Sequence, residues 1–129
     1  MIGPMTRPFL RSAIAAFIAG LLVPLAAHLG LTRAMGAHPW WDTQVAWIGL
    51  VLGLLLSALA SRLPARFAIP GLALATGLAF WLTMTGQARF AASFASDEAA
   101  GQLWYFGWIA VATCAVALLA LSAMTIVRR

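Results

Sequence analysis

Four long apolar runs dominate the chain, at about residues 12–31, 43–60, 67–85 and 102–127. None shows the strict alternation of a half-buried strand, and none carries the polar stripe of an amphipathic surface helix. At about 1.5 Å of rise per residue, roughly twenty helical residues cover the ~30 Å hydrocarbon core of a bilayer. The pattern therefore predicts an all-α integral membrane protein. It is expected to be a single four-helix transmembrane domain over residues 1–129, running up-down-up-down.

Punctuation within and between the runs refines this. Pro24 lies inside the first run and lacks the N–H that would bond the Gly20 carbonyl, which predicts a kink. Residues 32–42, TRAMGAHPWWD, read as an outer loop in which Asp42 caps the second span. SRLPAR is a tight turn with Pro64 as the stop. Pro70 is expected in the first turn of the third span, where a missing N–H costs little. Residues 86–101 read as a second outer loop. In it Phe90 and Phe94, four apart, could lay both rings in the interface from a short helix. Ser96, Asp97 and Glu98 signal the start of the fourth span. That span is long for a bilayer and must tilt or stand proud. The first run, with Arg7 and Arg11 before it, has some likeness to a signal peptide. No clean small-x-small cleavage site follows, so it is read as a retained span.

Composition agrees with the pattern. Hydrophobic residues make up 64% of the 129 and charged residues 9%. A water-soluble domain has about 25% charged residues and could not hide this apolar surface. Disorder needs the opposite composition. The net charge of +5 comes from eight arginines and three acids. Arg7, Arg11, Arg62, Arg66, Arg128 and Arg129 fall on one side of a four-span arrangement. Arg33 and Arg89 fall on the other with Asp42, Asp97 and Glu98, and the two sets could pair there. Arginine-rich short loops stay inside, so both termini are expected to be cytoplasmic. Basic residues at the edges of apolar runs do not make a nucleic-acid surface. The Ala- and Arg-rich, lysine-free composition points to the cytoplasmic (inner) membrane of a bacterium, with multiple passes.

Candidate chemistry is sparse. Gly49 and Gly53 form a GxxxG pair, extended at the same spacing by Ser57 and Ser61, that lets another helix approach closely. It serves either packing within the four helices or docking of a partner. Gly71 with Ala75, and Ala16 with Gly20, offer weaker seams. All six tryptophans lie toward the outer side. Either they form an interfacial belt, or they line a surface for a lipid tail, quinone, pigment or partner helix. Trp47 and Trp108, on spans two and four, are the expected contacts. The two spans also share an aromatic pair followed by a Trp-Ile step, which suggests a parallel two-helix repeat.

His28 is the one ionisable group well inside a span, and is a candidate for a structural hydrogen bond or for a ligand or proton site. Bis-histidine haem would need a second such histidine. His38 and Asp42 in HPWWD could share a proton or a ligand, but a metal needs more donors. No metal and no cofactor is expected. Cys114 reads as a packing residue. Thr76, Thr83, Thr85 and Thr125 can bond the carbonyls of the preceding turn. No carboxylate falls inside a span, which argues against proton-coupled transport. No phosphate loop, nucleophile elbow or carboxylate pair is present, and the protein is expected not to be an enzyme. The leading expectation is a small accessory or assembly subunit of a larger inner-membrane complex, whose partners are the bilayer and other membrane subunits or a second copy of itself. The alternative is a small homo-oligomeric channel or transporter for a neutral or apolar solute. Its polar path would run along Ser57, Ser61, Thr76 and Thr113, with His28 near the mouth.

Overall fold

The computed structural model describes residues 6–128; Arg129 lies outside them. The chain is helical almost throughout: α1 is Thr6–Gly20, α2 Leu22–His28, α3 Leu31–Ala34, α4 Asp42–Ala60, α5 Ala65–Ala92 and α6 Glu98–Val127. Four helices are long and apolar enough to cross a membrane, with α1 and α2 together forming the first, over Arg7–His28. These four are compatible with a multi-pass membrane protein. Between 22% and 39% of each apolar stretch is buried, so most of their hydrophobic surface faces outward. Such a surface is stable only against lipid or another protein.

The break between α1 and α2 falls where Pro24 predicts it. Leu21 N–H still donates to Phe17 and Leu25 N–H to Leu21, each at 3.0 Å. The bond missing between them is the one Pro24 cannot make to Gly20. The boundary that Pro64 marks in the α4–α5 turn also holds, with Pro64 as the N-cap of α5. Pro70, however, is the sixth residue of α5 and not in its first turn, because the helix starts at Ala65.

The loop between the third and fourth spans is shorter than the sequence pattern suggests, whereas the segment between the first and second begins earlier, after His28, and carries α3. Helix α5 runs on to Ala92, so Phe90 stands on it, not on a separate short helix. The chain reverses at Phe94 and Ala95, both left-handed at φ 55° and 67°. Helix α6 then starts at Glu98, with the Asp97 carboxylate accepting from Ala100 N–H at 3.0 Å. The cap satisfies one free N–H of the first turn. The polar residues Gln87 and Arg89 disguised the continuation of α5, since hydropathy marks the end of the lipid-soluble stretch and not the end of the helix. At about 1.5 Å per residue, α5 and α6 span roughly 42 and 45 Å, beyond a ~30 Å hydrocarbon core.

Helix α6 is the hub. Helices α5, α4 and α1 each pack chiefly on it, and α2 packs on α4. A two-helix repeat would require α1 to lie along α4 as α5 lies along α6; α1 lies along α6 instead. Two apolar clusters divide the interior. One gathers Ala16, Ala60, Leu72, Ala117, Ala120 and Met124 at the arginine-rich end. The other gathers Ala37, Val45, Ala79, Trp108 and Ala112 toward the aromatic end. Alanine is the commonest residue in both, as expected where helices associate by close backbone approach and not by exclusion of water.

Two seams achieve that approach. Along α4–α6, a methyl added at Gly49 would fall 2.4 Å from Ala112 Cβ, and one at Gly53 2.5 Å from Val116 Cβ. Along α5–α6, one at Gly86 would fall 2.6 Å from the Trp104 nitrogen, and one at Gly107 2.6 Å from Thr83 Cβ. The second seam follows small residues at Ala79, Thr83 and Gly86, a spacing visible in the sequence but obscured when Gly86 is read as the start of a loop.

Candidate functional site

The densest cluster of chemistry-bearing side chains sits at the end where α5 and α6 meet. The segment after α2 crosses this end. Gly30 and Gly36 turn it through left-handed conformations at φ 88° and 116°. At Gly36 it passes so close to α5 that an added methyl would meet Gln87 Oε1 and Met84 Cε, each at 2.8 Å. Trp104 Nε1 on α6 donates to the Gly36 carbonyl at 3.0 Å and pins it.

An aromatic assembly grows around this anchor. The His38 ring lies 5.2 Å from Trp40, 5.9 Å from Trp41 and 5.5 Å from Trp104, edge-on to the first and last and stacked on Trp41. Trp41 in turn meets Trp104 and Tyr105 edge-on at 5.3 and 5.2 Å. Phe90 closes the far side against Trp104 at 5.8 Å. Edge-to-face pairs at these spacings contribute about 0.5–1.5 kcal/mol each beyond burial. The rings border an open cleft of about 490 Å³, with Glu98 and Gln102 among its polar lining. Trp40 covers little else and remains 89% exposed.

His38 and Asp42 do not pair through their side chains. His38 Nδ1 accepts from Trp40 N–H at 3.1 Å, and its carbonyl accepts from Asp42 N–H at 3.0 Å. The Asp42 carboxylate accepts from Arg33 Nε at 3.3 Å and from Thr43 N–H at 2.8 Å. Asp42 is the first residue of α4 and Trp41 its N-cap, so the carboxylate acts from one position later than expected. Its side chain is 1% exposed beside a half-exposed Arg33, which makes the pair a structural clamp between α3 and α4. Of the expected pairings between outer arginines and acids, this is the ion pair formed among the described residues, and it closes within one loop.

His28, at the end of α2, accepts from Trp47 Nε1 on α4 at 2.9 Å. The bond joins two helices that otherwise present apolar faces. Interhelical bonds in membranes average about 0.6 kcal/mol, so His28→Leu is expected to lower stability by about that amount in a denaturation titration.

The structure separates the remaining candidates. Gly49 and Gly53 are covered by α6 of the same chain. Ser57 and Ser61 donate to Leu54 and Ala58, and Thr76 to Leu72, each on its own helix. Thr85 and Thr125 also bond the preceding turn, but Thr83 reaches across to the Trp104 carbonyl. Thr113 Oγ1 is buried without a partner. Ser57 and Ser61 line one groove and Thr76 another. Of the two expected contact tryptophans, Trp47 is exposed, whereas Trp108 is 2% exposed with Phe80 of α5 against it at 5.9 Å. Among the described residues no three His, Cys, Asp or Glu side chains converge on one point.

One open face was only faintly legible in the sequence. On α5, Ala73, Leu74, Gly77, Leu78 and Trp81 point away from α6 and are exposed. A methyl added at Gly71 or Gly77 would meet nothing within 4 Å, unlike one at the packed glycines of α4 and α6. No family model, curated protein or solved structure matches the chain.

Proposed function

We propose that the protein is a non-enzymatic accessory or assembly subunit of a larger membrane complex, in the cytoplasmic membrane of a bacterium. The four spans run up-down-up-down with both ends inside, because the short segments at the arginine-rich end carry Arg7, Arg11, Arg62, Arg66, Arg128 and Arg129. A neighbouring membrane subunit docks along α5, and the aromatic end adds Trp40 and Phe106 to the contact.

The observation that carries this reading is the empty space over Gly71 and Gly77. A glycine in a helix costs roughly 0.5–1 kcal/mol relative to alanine. In membranes that cost is offset when the missing side chain lets a second helix come close. The glycines of the α4–α6 and α5–α6 seams are used in this way, and an added methyl at Gly71 or Gly77 on α5 would meet nothing within 4 Å. The hydroxyls of Ser57, Ser61 and Thr76 are spent on their own helices. That supports a dry interior and favours a subunit over a channel.

The test is a tagged pull-down from native membranes in mild detergent, followed by intact-mass analysis. A stoichiometric foreign subunit is expected with the unaltered chain. Gly77→Leu is expected to abolish its capture while leaving the helical content and thermal stability of the isolated chain unchanged, because the side chain enters open space. A homo-oligomer with no foreign partner, or full capture by Gly77→Leu, would overturn the reading.

A further inference from the structure

At the arginine-rich end, α1, α4 and α6 border a groove of about 340 Å³. Phe9, Ala13 and Phe17 of α1 face Leu54 and Ala58 of α4 across it, and Ser12, Ser61 and Arg128 give it a polar end. Ser12 is 3% exposed and accepts from Arg128 Nε at 3.3 Å. A guanidinium carries five N–H donors, and that bond uses one. Ser61 donates to Ala58 on its own helix, so the further N–H groups of Arg128 are the charged donors at this polar end. Arg128 and Ser61 also line a second hollow of about 230 Å³ beside Leu121 and Thr125, so the guanidinium stands between two cavities.

Among the described residues the charged side chains at this end have one sign. The three acids of the chain are Asp42, Asp97 and Glu98, and none lies at this end. Arg11 adjoins Ser12, Arg62 adjoins Ser61, and Arg66 follows Ala65 on the wall of the second hollow. A slot with an apolar length, a buried hydroxyl and an arginine with no Asp or Glu side chain beside it among the described residues complements a molecule with an anionic head and a hydrocarbon chain. At roughly 30 Å³ per methylene-sized group, the groove holds about eleven such groups, a substantial part of one acyl chain.

We propose that this groove binds one anionic phospholipid, its phosphate on Arg128 and one acyl chain between Phe9, Phe17, Leu54 and Ala58. Basic pockets between transmembrane helices recognise anionic headgroups in this way. The site requires the four helices to lie in a bilayer and is independent of any partner subunit.

The full chain, purified in detergent and delipidated, would be titrated with phosphatidylglycerol or phosphatidylcholine and read by native mass spectrometry. One arginine at a headgroup is worth a factor of roughly five, so phosphatidylglycerol is expected to be retained about fivefold more strongly. Arg128→Gln is expected to erase that preference, and Arg89→Gln at the other end to keep it. Ala58→Trp fills the groove and is expected to reduce retention with Arg128 intact; it carries the test if Arg128→Gln does not fold, as judged by circular dichroism. Equal retention of the two lipids, or an unchanged preference in Arg128→Gln or unchanged retention in Ala58→Trp, would overturn the assignment. So would displacement of the lipid by an equal concentration of inorganic phosphate, since the chain then contributes nothing.

Discussion

Gly53→Ala lowers the stability of the helical bundle by about 1–3 kcal/mol, and Gly49→Ala does the same. Two effects oppose each other at these positions. Alanine is the better helix former by roughly 0.5–1 kcal/mol. Against that, the new methyl at Gly53 would sit 2.5 and 2.6 Å from two Val116 side-chain carbons and 2.7 Å from the Thr113 carbonyl oxygen. At Gly49 it would meet Ala112 Cβ at 2.4 Å and the Ala112 carbonyl carbon at 2.9 Å. Side chains can rotate aside, but backbone atoms cannot. Helix α4 must therefore back away from α6 along the seam, and contacts at neighbouring turns are lost with it. The overpacking cost exceeds the propensity gain. A titration with denaturing detergent, followed by circular dichroism, measures the difference. The same substitution at Gly77 is the internal control, because there the propensity gain stands alone and stability should hold or rise slightly. Equal behaviour of Gly53→Ala and Gly77→Ala would mean that α4 does not lie against α6 as described.

Trp108→Ala is expected to cost about 3 kcal/mol, the low end of the range for removing a buried tryptophan. Trp108 is 2% exposed, lies in the apolar cluster with Val45, Ala79 and Ala112, and meets Phe80 edge-on. In lipid the transfer of the removed atoms out of water contributes little, since the surroundings are already apolar. What remains is the lost dispersion with the walls and the cavity left behind. Trp47→Ala, at an exposed position whose single polar contact is His28, should cost well under half as much. Paired denaturation curves of the two variants give the comparison. If Trp47→Ala proved the more damaging, the inward orientation of Trp108 would be refuted.

Most of the secondary structure was legible from residue order. The four apolar runs, the break imposed by Pro24, the stop at Pro64 and the Asp97 cap each follow from a local physical requirement. So does the crowding of arginines toward one end. One error came from equating the lipid-soluble stretch with the helix. Gln87 and Arg89 end the third apolar run but donate and accept backbone bonds as well as any residue, so α5 continues past it. That extension is what brings Phe90 to Trp104 and builds the aromatic end.

The partners of each helix face could not be read in this way. A helix that is apolar on all sides carries no mark of which side meets protein and which meets lipid, because both environments accept the same residues. Gly49 and Gly71 look alike in sequence, yet one lies under Ala112 and the other faces empty space. Trp47 and Trp108 occupy similar aromatic-rich stretches, yet one lies at the surface and the other inside. His38 and Asp42, four residues apart, turn to different neighbours because the segment they sit on is pinned by a bond from Trp104, far along the chain. The sequence by itself determined how many long apolar spans there are, the break at Pro24 and the sign of charge at each end, since those depend on neighbours along the chain. The hub position of α6, the occupied and the vacant glycine faces, and the grooves at both ends were decided only by the tertiary structure, since they depend on contacts between segments that residue order leaves open.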